Sequence, residues 1–286
     1  MKDLRPVALL LAFLFSGVVE LFVVASCNSP VPPPQPQTAI VAPLGDPLTE
    51  AIKSAVLIHL DFTKICGSGS LIGRKQLENG SWEYSVLTAC HVASVVRDAL
   101  VENPDDFEDV MKITIVYQEH FHAPLRKLHT SIKQLEWMIP TQDWAIFTME
   151  LPVKLPCVQL ATKEEFEVIQ PYDHIYSMGA DNGSGLFFRE GVIASTTAVD
   201  PYPDPKAEIS SWDTHPDNFF RVYQSHWYGA SGCPIFNRAG KIIGIFDGYF
   251  KVNRGHPMTH LTVVAKGYLI LEALTKTQSQ LTTIGN

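Results

Sequence analysis

Residues 229–237 read Gly-Ala-Ser-Gly-Cys-Pro-Ile-Phe-Asn. Ser231 stands there between small residues, and an apolar run follows it that suits a strand. A serine hydroxyl is a poor nucleophile until a base takes its proton. A reaction at such a serine also builds charge on a carbonyl oxygen, which needs backbone N–H donors. A tight glycine turn presents them without a Cβ in the way. The N–H groups of Gly229 and Ser231 fit that role.

Moving outward, two upstream segments supply what the serine lacks. Leu87-Thr88-Ala89-Cys90-His91-Val92 ends an apolar strand on a histidine, and Asp143-Trp144-Ala145-Ile146-Phe147 sets an aspartate just ahead of another. Imidazole is the best base near neutral pH. A carboxylate fixes its tautomer and stabilises the imidazolium. The segments occur in the order His91, Asp143, Ser231, with spacings of 52 and 88 residues. Any one of these residues alone reads as an ordinary turn or loop residue; the three segments together point to a catalytic triad.

The intervening chain reads as short strands rich in Val, Ile, Phe and Tyr, separated by Gly, Pro, Asn and Asp. They are predicted at Ala55–Phe62, Gly69–Gly73, Trp82–Leu87, Ile113–Tyr117, Trp144–Leu151, His174–Gly179, Leu186–Ser195, Phe219–Tyr223, Cys233–Asn237 and Lys241–Phe246. Many short strands with turn residues between them predict an all-β sandwich or barrel. Helical turns are expected within Thr49–Ala55 and Ser94–Leu100, and an amphipathic helix over Ala265–Leu274.

The three segments resemble the signature regions of trypsin-like serine peptidases. Cys66-Gly67-Ser68-Gly69-Ser70-Leu71-Ile72 is similar to that family's glycine-serine strand, and Met178-Gly179 through Gly191-Val192-Ile193 to its strand pair before the serine. The resemblance spans about Ala55 to Leu274. It implies two six-stranded antiparallel β-barrels with a short C-terminal helix and the site in the cleft between the barrels. It also implies an endopeptidase needing no cofactor and no metal. Pro234-Ile235-Phe236-Asn237 with Ile243-Gly244-Ile245 further resembles the bacterial glutamyl-endopeptidase branch. That branch has a histidine after the Gly-Ile pair to hold an acidic side chain, where this chain has Phe246. With Ser225 near the pocket floor, Phe246 favours a small or apolar residue at the cleavage position, whereas Asp247 would favour a basic one; the sequence leaves both open. His226 reads as a surface or packing histidine. Ala230 cannot form the ion pair with a freed N-terminal amine that many relatives use for activation. The resemblance also implies a Cys66–Cys90 bridge, with Cys157 and Cys233 as buried thiols.

Composition bounds the rest. Apolar residues make up 46% of the 286 and the formal charge is −8, which supports a sizeable core and excludes a phosphate-binding basic face, so no nucleic-acid partner is expected. His120 and His122 are too isolated from carboxylates to suggest a metal. Lys2 and Arg5 precede an apolar run from Pro6 to Val19 that Glu20 interrupts and Leu21 to Ala25 resume, which reads as an export signal. Val24-Ala25-Ser26-Cys27 resembles a bacterial lipobox, with Cys27 as the lipidated residue; a membrane anchor is the other reading. Pro30 to Pro36 is a proline-dense stretch that favours an extended tether. The expected organisation is a signal or anchor over 1–27, a linker over 28–46 and a peptidase domain over 47–286, exported and held at a membrane. The expected partners are a protein or peptide substrate and the membrane. The alternative is a catalytically silent protease-fold binding module at the cell surface. The dozen residues after Leu274 leave no expectation of an appended peptide-binding domain.

Overall fold

The computed structural model describes residues 46–284 apart from 103, 120–122, 181, 199–214, 227 and 253–255. The expected signal, Cys27, nearly all of the proline-rich linker, and His120 and His122 lie outside the described residues. Among the described residues no helix is long and apolar enough to cross a membrane.

After a short helix α1 (Pro47–Ile52), the strands β1 (Ala55–Leu60), β2 (Cys66–Gln76), β3 (Trp82–Ala89), β4 (Lys112–Tyr117), β5 (Arg126–Ile139) and β6 (Trp144–Leu151) close a barrel in the order β1-β2-β3-β6-β5-β4. A second barrel closes as β10-β11-β12-β9-β8-β7, from β7 (His174–Ala180), β8 (Leu186–Ser195), β9 (Phe219–Tyr223), β10 (Pro234–Phe236), β11 (Ile242–Val252) and β12 (His256–Lys266). Every pairing of named strands is antiparallel. The expected pair of six-stranded antiparallel barrels is therefore what the chain forms. Closure leaves no free sheet edge, which removes the aggregation hazard of an unpaired strand.

Each barrel has its own interior. Val56, Ile58, Leu71, Tyr84, Val86, Ile115, Phe147 and Met149 fill the first, and Ile175, Ile193, Phe220, Val222, Ile235 and Val264 the second. A third cluster joins the barrels through Leu87, Trp144, Ile146, Met178, Phe219, Phe236 and Ile245. On β1, Val56 and Ile58 face the first interior while Leu57 packs with Val116 and Ala180. Both faces of β1 are thus buried from Ala55 to Ile58, and its sequence there is a continuous apolar run instead of an alternating one.

Two strands depart from the sequence expectation. β5 is missed because polar residues, Arg126-Lys127 through Gln134 and Glu136, interrupt an apolar alternation that changes phase between Ile132 and Leu135, where the register with β6 shifts. β12 is missed, and its end is misread as helix: Ala265 and Lys266 pair with Ile245 and Gly244, so the C-terminal helix begins only at Gly267 and runs to Ile284. The helix after β3, α2 (Cys90–Glu102), is longer than expected and starts without an intervening turn. The implied Cys66–Cys90 bridge is absent, and both thiols are free. Cys66 Sγ points at Gly183 and Gly229, about 3 Å from where their Cβ atoms would stand, whereas Cys90 is buried in the first turn of α2 near Asp143. Cys157 is half-buried and Cys233 fully buried, both as free thiols.

The connection between the barrels is pinned by Tyr84, whose ring is fully buried in the first barrel. Its hydroxyl donates to the Val153 carbonyl at 3.0 Å and accepts the Leu155 N–H. Tyr84→Phe keeps the ring but removes the partner of the Val153 carbonyl and strands the buried Leu155 N–H. The expected outcome is a loss of about 1–3 kcal/mol in urea unfolding, with the fold retained.

Candidate active site

β3 and β6 are neighbours in register, with Ala89 opposite Trp144. Two residues beyond Ala89 stands His91, and one before Trp144 stands Asp143, so the pairing brings both to one edge of the first barrel. Asp143 closes a short 3-10 turn (Pro140–Gln142) with φ of 46°, the left-handed conformation that aspartate tolerates better than most residues. The backbone at Asp143 is tied to the helix: the Cys90 N–H donates to the Asp143 carbonyl at 3.1 Å. The Asp143 carboxylate then takes both donors of the histidine. Oδ1 accepts the His91 backbone N–H at 3.0 Å, and Oδ2 lies 2.8 Å from His91 Nδ1. Since a carboxylate only accepts, this contact places the ring proton on Nδ1 and leaves Nε2 as the basic nitrogen. The His91 side chain is 48% exposed while that of Asp143 is 8% exposed, so the ring reaches towards solvent from a buried partner. Burial alone would push the imidazole down; the hydrogen bond and charge of Asp143 outweigh it and hold the group above the ordinary 6.5.

Ser231 belongs to the second barrel, on a turn packed directly against the strand that leads to His91. Gly232 has φ of +83°, and a Cβ there would stand 2.2 Å from the Ser68 carbonyl and 2.8 Å from the Ala89 nitrogen. Only glycine lets this turn approach so closely. Gly229, with φ of +90°, is the other left-handed residue of the turn. The Ser68 N–H donates to the Ser231 carbonyl at 2.7 Å, and a Cβ on Gly67 would fall 2.7 Å from Val92, the residue after His91. β2 is therefore wedged between the start of α2 and the Ser231 turn. Among the described residues, neither the Gly229 nor the Ser231 N–H donates to a backbone carbonyl. Ala230 is fully buried with Cys233 and Phe246, an apolar setting for the residue between them.

The remaining candidates divide. Ser225 is exposed. Phe246 is 2% exposed, and the His226 ring lies against it at 4.4 Å between centroids. His226 is thus a buried packing histidine. Its Nε2 meets Gln224 Oε1 at 2.7 Å, which puts the proton on Nε2. Full burial, with a smaller contribution from Arg189, pushes it down to about 3, so it is neutral. Asp247 is buried, and its Oδ1 lies 4.0 Å from His91 Nδ1 beside Asp143. Among the described residues, His91, Asp143 and Asp247 form the group of metal-ligating type, with one ligand atom from each within 4.8 Å of the others. Ser68 is a second residue whose position was hidden in the sequence: its hydroxyl donates to the Gly229 carbonyl at 2.9 Å and accepts the Ala180 N–H at 2.9 Å. The only sequence signal for it was its place in the glycine-serine strand.

The depressed His226 gives a stability prediction. The unfolded chain binds a proton there below about pH 6.5, while the folded chain resists it down to about 3. Its contribution is therefore present above pH 6.5 and is lost as pH falls, at up to ~1.4 kcal/mol per pH unit. Urea midpoints measured across this range should fall more steeply for the wild type than for His226→Phe; equal slopes would contradict the assignment.

Residues 67–245 match the trypsin-like peptidase domain. The HtrA-type protease AlgW with a tripeptide has a similar structure, at 18% identity and a TM-score of 0.54, covering 80% of this chain and 62% of that one. A single-site variant of the same protease gives 17% identity and a TM-score of 0.55 over the same shares. The chain thus spans less than two thirds of these structures, and the likeness is one of fold. No curated protein sequence matches it. With the match covering well over half of its length, the chain belongs to the trypsin-like peptidase domain family.

Proposed function

We propose that the protein is a serine endopeptidase that cleaves peptide bonds through an acyl-enzyme on Ser231. The observation that carries this reading is the His91 Nδ1–Asp143 Oδ2 contact of 2.8 Å, on a ring whose Nε2 is left basic. In the first step His91 Nε2 takes the Ser231 proton as Oγ attacks the substrate carbonyl, and Asp143 stabilises the imidazolium that forms. The Gly229 and Ser231 N–H groups hold the oxyanion, a contribution of ~3 kcal/mol per donor in the transition state. His91 then returns the proton to the leaving amine. Water, deprotonated by the same ring, hydrolyses the acyl-enzyme and restores Ser231.

The serine motif keeps its resemblance to the glutamyl-endopeptidase branch, but Phe246 and a neutral His226 supply no cation for an acidic side chain. A small or apolar residue is the proposed preference at the cleavage position. The charged start, apolar run and lipobox-like Cys27 support an exported protein held at a membrane through residues 1–27, with 28–46 as tether and 47–286 as the peptidase domain.

A fluorophosphonate probe tests the mechanism on the full-length protein. Labelling should vanish in Ser231→Ala and fall by roughly 10⁴ in rate in Asp143→Asn, which holds the wrong tautomer. Because the base must be neutral, the labelling rate should rise with pH about a midpoint above 6.5. A folded wild-type protein that does not label would favour the silent binding module. Cleavage of a peptide library should show small or apolar residues before the scissile bond; a dominant glutamate there would reject the proposed pocket.

A further inference from the structure

Asp247 sits at an irregularity of β11. The β11–β12 register shifts between Phe246 and Gly248, so Asp247 is the extra residue of a β-bulge with no partner across the ladder. Bulges turn a side chain out of its alternating direction and occur beside active sites. Here the Asp247 side chain, 6% exposed, is turned towards His91 and Asp143. Its Oδ2 is buried without a hydrogen-bond partner, and the Asp143 carboxyl, itself an acceptor, lies beside it, with one ligand atom each of His91, Asp143 and Asp247 within 4.8 Å of the others. Two buried carboxylates in contact cannot both be ionised at low cost. A single proton on Asp247 removes one charge and satisfies the unpartnered oxygen at once.

We propose that Asp247 is a protonated carboxylic acid in the resting protein that donates a hydrogen bond to Asp143, making it a positioning residue for the His91–Asp143 pair. Asp143 then has three donors, the His91 N–H, the His91 Nδ1–H and the Asp247 O–H, which together fix its carboxylate against the imidazole. The titratable groups around the pair are consistent with a retained proton. Asp143 ahead of β6 raises the affinity of Asp247 for it, and burial acts in the same direction. His91 heads α2 with Cys90, a thiol pushed up to about 11 by burial and by Asp143 and so uncharged. His226 across Phe246 is neutral, and β12 faces the bulge with Val263 and Val264. At alkaline pH the proton leaves, the carboxylates repel, and the imidazole loses its fixed partner. The proposal rests on the peptidase reading only for its effect on rate; the proton itself is a property of the fold.

Infrared spectroscopy of the full-length protein tests the proton without turnover. A carboxylic-acid C=O stretch should be present at neutral pH in both wild type and Ser231→Ala and absent in Asp247→Asn. Absence of the band from the wild type, or its persistence in Asp247→Asn, overturns the proposal even if the protein is a peptidase. Rates of probe labelling test the positioning role. Asp247→Asn and Asp247→Ser each keep a donor to Asp143 and should stay within about threefold of wild type near pH 7, without the wild type's alkaline decline. Asp247→Ala removes the donor and should fall by about tenfold or more. Wild-type rate and pH profile in Asp247→Ala, or equal loss in all three variants, would overturn it; a purely packing role would leave the alkaline limb unmoved.

Discussion

Ser68 ties the first barrel to the Ser231 turn of the second. Its N–H reaches the Ser231 carbonyl, its hydroxyl donates to the Gly229 carbonyl, and that same oxygen accepts the Ala180 N–H. One residue of the first barrel thus fixes both ends of the Ser231 turn and the end of β7 in the second. The geometry works only because backbone can approach backbone. Gly67 lies against Val92, and Gly232 lies against Ser68, Thr88 and Ala89, at distances that any Cβ would violate. The serine and the histidine arrive from different barrels, so their relative placement depends on this close approach and not on either barrel alone.

Around that contact the protein uses burial in opposite ways on the same residue type. His91 and His226 are separated by the Asp143 carboxylate in the one case and its lack in the other. The first keeps its proton more strongly than a free imidazole, and the second surrenders it to the point of being a neutral ring packed on Phe246. A half-exposed ring on a buried carboxylate is a base that can be recharged from solvent. A buried ring with its proton fixed by Gln224 is a piece of core with a polar edge. The two aspartates divide similarly. Asp143 accepts two donors from His91, whereas Asp247 is placed by its bulge where ionisation is opposed by its neighbour.

Most of the strands were legible because they are apolar, short and punctuated by Gly, Pro, Asn and Asp; Trp144–Leu151, Leu186–Ser195 and Phe219–Tyr223 fall where the pattern places them. β5 was not legible, since its alternation of Leu128 and Ile132 and then Leu135, Trp137 and Ile139 changes phase at a bulge after Ile132, which breaks a period of two. Nor was the end of β12, where Val263, Val264 and Ala265 are all buried and a short apolar run does not distinguish strand from helix. The Cys66–Cys90 pairing failed because two cysteines near one another in a family pattern say nothing about where their side chains point.

What the sequence by itself determined is the set of chemical groups and their order along the chain: a serine in a glycine turn, a histidine at a strand end, an aspartate before a strand, and enough apolar strands to build two barrels around them. These are local properties, set by residue type, spacing and turn chemistry. What only the tertiary structure decided is which groups meet. Asp247 reads in the sequence as a pocket acid as readily as anything else, and Ser68 as one more small residue in a strand. Their roles come from a register shift in β11 and from contacts across 161 residues of chain, and neither is encoded in a local pattern. The physical reason is that charge, tautomer and access at a site depend on the distances and dielectric around it, which closure and packing of both barrels fix together.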